Sequence, residues 1–245
     1  MKNRIKLLPS IFTTGNAFFG FYSIIASIHG DYYRASVAIL IAIVFDCLDG
    51  RIARLTRSTS DFGMEYDSLA DIISFGMAPA LLIYLWMLQP YGRIGWLAVF
   101  LFVLCGALRL ARFNVQVSEE KKPNFVGLPI PASAGMIASF VILSRHLNIV
   151  MLINPLVIAM FVYLLSFLMV SNLKYRSFKY FELKKRRSFS IILFTVLLLW
   201  VIITIPEVMT FLIFFVYALS GPVERILAYR KLEPLFRLRS QSKDK

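Results

Sequence analysis

Charge is scarce in this chain: only 17% of its 245 residues are Asp, Glu, Lys or Arg, against about a quarter in ordinary soluble domains. Cysteine is scarcer still. Cys47 and Cys105 sit in separate apolar segments without metal-ligand spacing, which excludes a disulfide framework and leaves them as helix-packing residues. No internal repeat and no low-complexity domain interrupts the chain. What replaces these features is apolar mass. The hydrophobic fraction is 58% and the mean hydropathy is +0.71. This excess is gathered in long runs, the pattern of membrane helices rather than of an enlarged soluble core.

Reading for runs of about 20 apolar residues predicts an all-α, polytopic transmembrane bundle of about eight spans. They fall near 8–28, 35–57, 62–89, 94–113, 130–147, 149–171, 188–205 and 207–224. Lys2, Arg4 and Lys6 before the first run resemble a signal-peptide start. That run is as long as a span and carries Ser10, Thr13, Thr14 and Asn16, so it is read as an uncleaved first helix. The last two runs are separated only by Pro206 and Glu207, and could instead form one kinked helix or a re-entrant pair. Charge tests the layout. All but Arg34, Arg93 and Arg145 of the 27 Lys and Arg residues fall on the side of the N-terminus, as the positive-inside rule requires of a cytoplasmic face. Merging the last two spans would put the basic tail outside, against that rule. Both termini are therefore expected in the cytoplasm.

The net charge of +13 raises nucleic acid or a membrane surface as partners. The segment 174–187 mixes Lys and Arg with Tyr175, Phe178, Tyr180 and Phe181. It is read as a belt against anionic lipid headgroups, with no nucleic-acid partner. The organisation expected is a core at 1–187, two additional helices at 188–224 and a basic cytoplasmic tail at 225–245, polar and mobile after about Leu232.

Only 14 residues are acidic, yet six of them crowd into 46–71, DCLDGRIARLTRSTSDFGMEYDSLAD. Carboxylates inside membrane helices are costly and need a reason. The second span should pass Arg57, turn at Ser58-Thr59-Ser60 with Asp61 in the capping cluster, and return as the third span. In such a hairpin, centred near 58.5, Asp46 and Asp71 each lie 12.5 residues from the centre, Asp49 lies 9.5 and Asp67 lies 8.5. Asp46 and Asp49 are i, i+3, and Asp67 and Asp71 are i, i+4, so each pair shares a helix face. Four carboxylates can then converge just below the cytoplasmic surface. Either some are protonated or cations hold them together. An all-oxygen set suits Mg²⁺, Mn²⁺ or Ca²⁺, and zinc is disfavoured because no His or Cys set lies nearby. Gly50, Ala53 and Gly63 leave room on the inner faces for an extended ligand, or simply let the helices pack closely. Arg54, one turn beyond Gly50, can reach a phosphate.

This stretch resembles the signature of the CDP-alcohol phosphotransferase family, D-x-x-D-G-x-x-A-R-x8-G-x3-D-x3-D. Asp46, Asp49, Gly50, Ala53, Arg54, Gly63, Asp67 and Asp71 fill all eight fixed positions. The resemblance covers roughly the first six spans. It implies a site for two divalent cations, Mg²⁺ or Mn²⁺, with Asp46, Asp49, Asp67 and Asp71 as ligands and Asp71 as general base. It further implies CDP-diacylglycerol as donor, held over Gly50, Ala53 and Gly63, and loss of CMP. A homodimer and a prokaryotic inner membrane, with the site facing the cytoplasm, belong to the same implication.

The flanking segments resemble the phosphatidylserine synthase branch, whose acceptor is L-serine. The first span reads LPSIFTTGNAFFGF; Ser10 departs from the more usual Asn, while Asn16 is retained and is assigned to the donor side. The fourth span ends in GALRLARFN, and FVGLPIPASAG opens the fifth, where Pro129 and Pro131 end a loop and begin a helix. Arg112, with Arg109, is expected to bind an anionic group of the acceptor or of the donor, and Asn114 to orient it. Two rivals stand beside this reading. One keeps the chemistry with glycerol 3-phosphate or an inositol acceptor. The other is a cation transporter, which would call for discontinuous helices and repeated halves.

Overall fold

The computed structural model describes residues 2–56, 61–119, 127–173, 175 and 204–241, and among them every regular element is helical. α1 (Lys2–Ile28) and α2 (Tyr32–Thr56) form an antiparallel pair. Gly30, at φ 76°, turns the chain between them. Asp31 N–H returns to Ala26 O at 2.9 Å and Gly30 N–H to Ser27 O at 3.1 Å, closing the carbonyl end of α1. Asp31 then caps α2, its carboxylate accepting from Arg34 N–H at 3.1 Å.

The predicted third span is one helical path with two wide turns. α3 (Asp61–Asp71) passes into a π segment, π1 (Ile72–Met77), then α4 (Ala78–Ile83), then π2 (Tyr84–Leu88). Prolines explain both. Pro79 and Pro90 have no N–H and crowd the carbonyl four residues back. The turn before each widens, so that Ala78 N–H reaches Ile73 O and Gln89 N–H reaches Tyr84 O. Gly92, at φ 50°, then folds the chain back into α5 (Gly92–Glu119), and Gly95 lies so close to Leu88 O that a Cβ would stand 2.2 Å away.

Ahead of α6 (Ile130–His146), Gly127 adopts φ 84° and donates to Leu173 O at 2.9 Å, while Leu128 N–H donates to Leu168 O at 3.0 Å. These bonds tie the loop to the end of α7 (Pro155–Val170). Asn154 caps α7, accepting from Leu156 N–H at 2.9 Å. α6 is the central helix: Ala132, Ser133, Ala134, Gly135, Ala138 and Ser139 are all buried, small residues that let neighbouring helices approach. α8 (Pro206–Gln241) docks on it, with the Phe214 ring over Gly135. Pro222 leaves Ala218 O without its helical donor, and the buried Tyr175 hydroxyl supplies one at 3.1 Å. Burial pushes the Tyr175 phenol up to about 12, so it remains a donor at any physiological pH.

Among the described residues, three stretches are long and apolar enough to cross a membrane: Ser10–Ile28, Phe62–Val115, which the Gly92 turn divides, and Pro206–Arg225. Pro155–Val170 is a shorter apolar helix. Outward-facing stripes recur at helical spacing, as Leu97, Phe100, Leu104 and Leu108 on α5 and Val157, Met160, Leu164 and Phe167 on α7. Such continuous apolar exposure suits a bundle surrounded by lipid. α8 runs past the expected span end at 224 to Gln241. α2 and α3 make little direct contact; both pack on α1 instead. α1 therefore bridges the expected hairpin, whose aspartates still meet within 4.8 Å. The turn at 57–60 and the span expected at 188–203 lie outside the described residues.

Candidate active site

α2 brings Asp46 and Asp49 to the site, and α3 brings Asp67 and Asp71. Carboxylate oxygens of Asp46, Asp67 and Asp71 lie within 4.8 Å of one another. Asp49 is buried a turn away, where it accepts a hydrogen bond from the Thr13 hydroxyl of α1. Its charge still acts on Asp67, as does that of Asp46, while Asp46 and Asp67 both act on Asp71. Three carboxylates thus share one small volume, and the expected fourth, Asp49, stands a turn away on Thr13. The cation that faces Asp71 is Arg109 of α5, itself buried, and its charge also acts toward Tyr217 of α8.

Such an arrangement is electrostatically incomplete. Among the described residues, the one guanidinium facing Asp71 cannot by itself balance the carboxylates drawn together in a poorly solvated pocket. One carboxylate oxygen of Asp67, Oδ1, is buried with no hydrogen-bond partner among the described residues. Buried acceptors without partners are rare and ask for an explanation, an ion among them. The donor set is all oxygen, converges from two helices and contains no His or Cys, so it fits hard divalent cations.

α1 supplies the polar frame. Asn16, fully buried, donates from Nδ2 to Asp71 Oδ1 at 3.1 Å and accepts at its backbone oxygen from Ser74 Oγ at 2.9 Å. The Thr14 and Tyr66 hydroxyls pair at 3.0 Å. Asn114 donates to Ser68 Oγ at 3.0 Å, tying α5 to α3. Arg112 is exposed and donates to Asn172 Oδ1 at 3.1 Å, past the end of α7. Of the two arginines singled out from the sequence, Arg109 is therefore the one beside the aspartates. Gly50 and Gly63 are half-buried on α2 and α3. Ala53 and Arg54 continue α2, and their side chains lie outside the described residues.

Sequence reasoning gave no role to Thr13, Tyr66, Ser68 or Tyr217. Thr13 had a signal, since it is i, i+3 from Asn16 and both are polar residues in an apolar helix. Tyr217 had none: it is one aromatic among many, brought toward Arg109 only by the docking of α8.

Residues 6–162 match the family model for CDP-alcohol phosphatidyltransferase. Among curated proteins, the chain is 40% identical over 177 residues to the CDP-diacylglycerol–serine O-phosphatidyltransferase of Helicobacter pylori, covering 72% of this chain and 75% of that one. It is 38% identical over 175 residues to the Bacillus subtilis protein of the same name, covering 71% and 93%. It is also 41% identical over 170 residues to the archaetidylserine synthase of Methanothermobacter thermautotrophicus, covering 69% of each. The match spans the aspartate helices and the helix that frames them, and the chain belongs to the CDP-alcohol phosphatidyltransferase family of phospholipid-synthesising enzymes.

Proposed function

We propose that the chain transfers the phosphatidyl group of CDP-diacylglycerol to the hydroxyl of L-serine, giving phosphatidylserine and CMP. The observation that carries this reading is the convergence of Asp46, Asp67 and Asp71 within 4.8 Å, at positions that complete the family's motif. The serine acceptor is supported by the names of the relatives in Helicobacter and Bacillus and by the buried Arg109 beside Asp71.

In this mechanism the serine Oγ forms a bond to the phosphorus that carries diacylglycerol, and the bond from that phosphorus to the oxygen of CMP breaks. Asp71 takes the proton from the serine hydroxyl, a task for a carboxylate placed next to the attacking oxygen. Arg109 meets the serine carboxylate with a guanidinium fork. Two divalent cations, Mg²⁺ or Mn²⁺ with Ca²⁺ as a third hard ion of the same class, would be held by Asp46, Asp49, Asp67 and Asp71 and would neutralise the diphosphate. Gly50, Ala53, Arg54 and Gly63 border the donor's nucleotide. The basic residues on the N-terminal side support a site facing the cytoplasm; a homodimer in a prokaryotic inner membrane is what the family resemblance implies.

The test is CMP release from CDP-diacylglycerol by detergent-solubilised protein with Mg²⁺ or Mn²⁺, comparing serine, glycerol 3-phosphate and inositol. Serine-dependent release that disappears in Asp71→Asn is the expected result. Release with another acceptor alone would keep the chemistry and overturn the serine assignment.

A further inference from the structure

Among the fully buried polar residues, Asn16 has an unusual hydrogen-bond pattern. Its side-chain nitrogen donates to Asp71 Oδ1 at 3.1 Å, whereas its side-chain oxygen is buried with no partner among the described residues. The two facts together fix the orientation of the amide. Flipping it would set oxygen against oxygen at Asp71 and leave the NH₂ in the place that holds no acceptor. An unsatisfied buried oxygen is a cost to folding, and an apolar residue of similar size would avoid it. The group it serves is Asp71.

The backbone around this contact is also held. Ser74, three residues after Asp71 and inside π1, donates its hydroxyl to Asn16 O at 2.9 Å. Gly20, one turn further along α1, has no side chain where a Cβ would stand 2.2 Å from Ser74 Oγ, so the two segments touch there. The helix widens from α to π at Ile72, immediately after Asp71, a place where side-chain direction would otherwise drift. α1 thus grips Asp71 twice, at its carboxylate and at the backbone beyond it.

We infer that Asn16 is a positioning residue for Asp71: its amide pins one carboxylate oxygen and leaves the other turned toward the reacting hydroxyl and the cation-binding aspartates. This rests on the reading of Asp71 given above. It differs from the donor-side role that the sequence suggested for Asn16, because it places the residue's effect on turnover and on the cation site rather than on affinity for CDP-diacylglycerol.

The experiment compares Asn16→Leu, which keeps the branching and heavy-atom count and removes the amide, with Asn16→Gln, which restores an amide one methylene further out, and with Asp71→Asn. Steady-state kinetics with both substrates are paired with Mn²⁺ titration of the purified protein, followed by electron paramagnetic resonance without substrate. Partners of this kind, behind a metal-binding side chain, carry about 10- to 100-fold in activity or metal affinity. Asn16→Leu is expected to lower kcat within that range, to weaken Mn²⁺ binding severalfold and to leave both KM values close to wild type. Asn16→Gln should regain part of both losses, which a variant that merely misfolds would not. A raised KM for CDP-diacylglycerol with kcat and Mn²⁺ affinity intact would overturn the inference in favour of direct donor contact. Wild-type behaviour of Asn16→Leu, with Asp71→Asn inactive, would overturn it while leaving the reading of Asp71 in place. Full activity in Asp71→Asn would remove that reading and this inference together.

Discussion

α1 meets the aspartate helices through polar groups, Thr13 to Asp49, Thr14 to Tyr66, Asn16 to Asp71 and Ser74 to Asn16 O. α8 meets α6 through a ring laid on a glycine, Phe214 over Gly135, and meets the chain after α7 through Tyr175, whose ring lies against Gly221. The first interface costs stability, because it gathers like charges and leaves Asp67 Oδ1 and Asn16 Oδ1 unsatisfied among the described residues. The second contributes stability by close packing of the kind that membrane helices rely on when lipid removes the usual apolar driving force. Chemistry and cohesion are thus divided between two regions, and Arg109, whose charge acts on both Asp71 and Tyr217, is where they meet.

Substitutions can separate the two. The largest effect belongs to the aspartates. Asp67→Ala should lower kcat/KM by on the order of 10²–10³-fold, the loss typical of removing one charge-stabilising group. In metal-free buffer its unfolding temperature should stay level or rise, since repulsion is relieved. A clear fall would show that the carboxylates also hold the bundle together. Away from both interfaces, in the loop tied to the end of α7, Gly127→Ala should act mainly on stability. Its φ of 84° disfavours a side chain, and a Cβ would stand 2.1 Å from Met169 O, a backbone atom with no room to give. A loss of about 3 kcal/mol or more is expected from combined strain and overpacking, read as a lower Tm. Gly135→Val comes next, at roughly 1–3 kcal/mol from overpacking against Phe214. Part of that loss should return in the double variant with Phe214→Ala, and a purely additive pair would refute the contact. Tyr175→Phe should cost the least, about 0.5–1.5 kcal/mol for the hydrogen bond lost to Ala218 O. Its KM values should match wild type. A selective rise in serine KM would instead tie α8 to the acceptor.

Much of the site is legible in the amino-acid order alone. The aspartate pairs can be placed on their helix faces because spacing on a helix is rigid: i, i+3 and i, i+4 positions share a face whatever the rest of the protein does. Helix ends can be placed within a few residues for the same kind of local reason, with Pro129, Pro131 and Pro155 at or near helix starts and Gly30 and Gly92 at turns. Arg109 and Arg112 cannot be told apart in this way. They sit three residues apart on α5, and only the docking of α5 sends one toward Asp71 and the other toward Asn172. The open hairpin is equally hidden, because sequence distance from a turn says how high a residue stands on its helix and nothing about how far the helices splay.

By itself the sequence determined that the chain is helical and apolar and that its carboxylates recur at helical intervals. These properties are local, set by hydropathy and by the fixed pitch of the helix. Tertiary structure alone decided that Asp46, Asp67 and Asp71 meet within 4.8 Å while Asp49 turns to Thr13, and that α1 rather than the α2–α3 contact holds them there. Convergence of side chains from separate helices depends on the angle and separation at which those helices pack, and that is fixed by residues far away in the chain, such as Gly15 under Phe45 and Gly20 against Ser74.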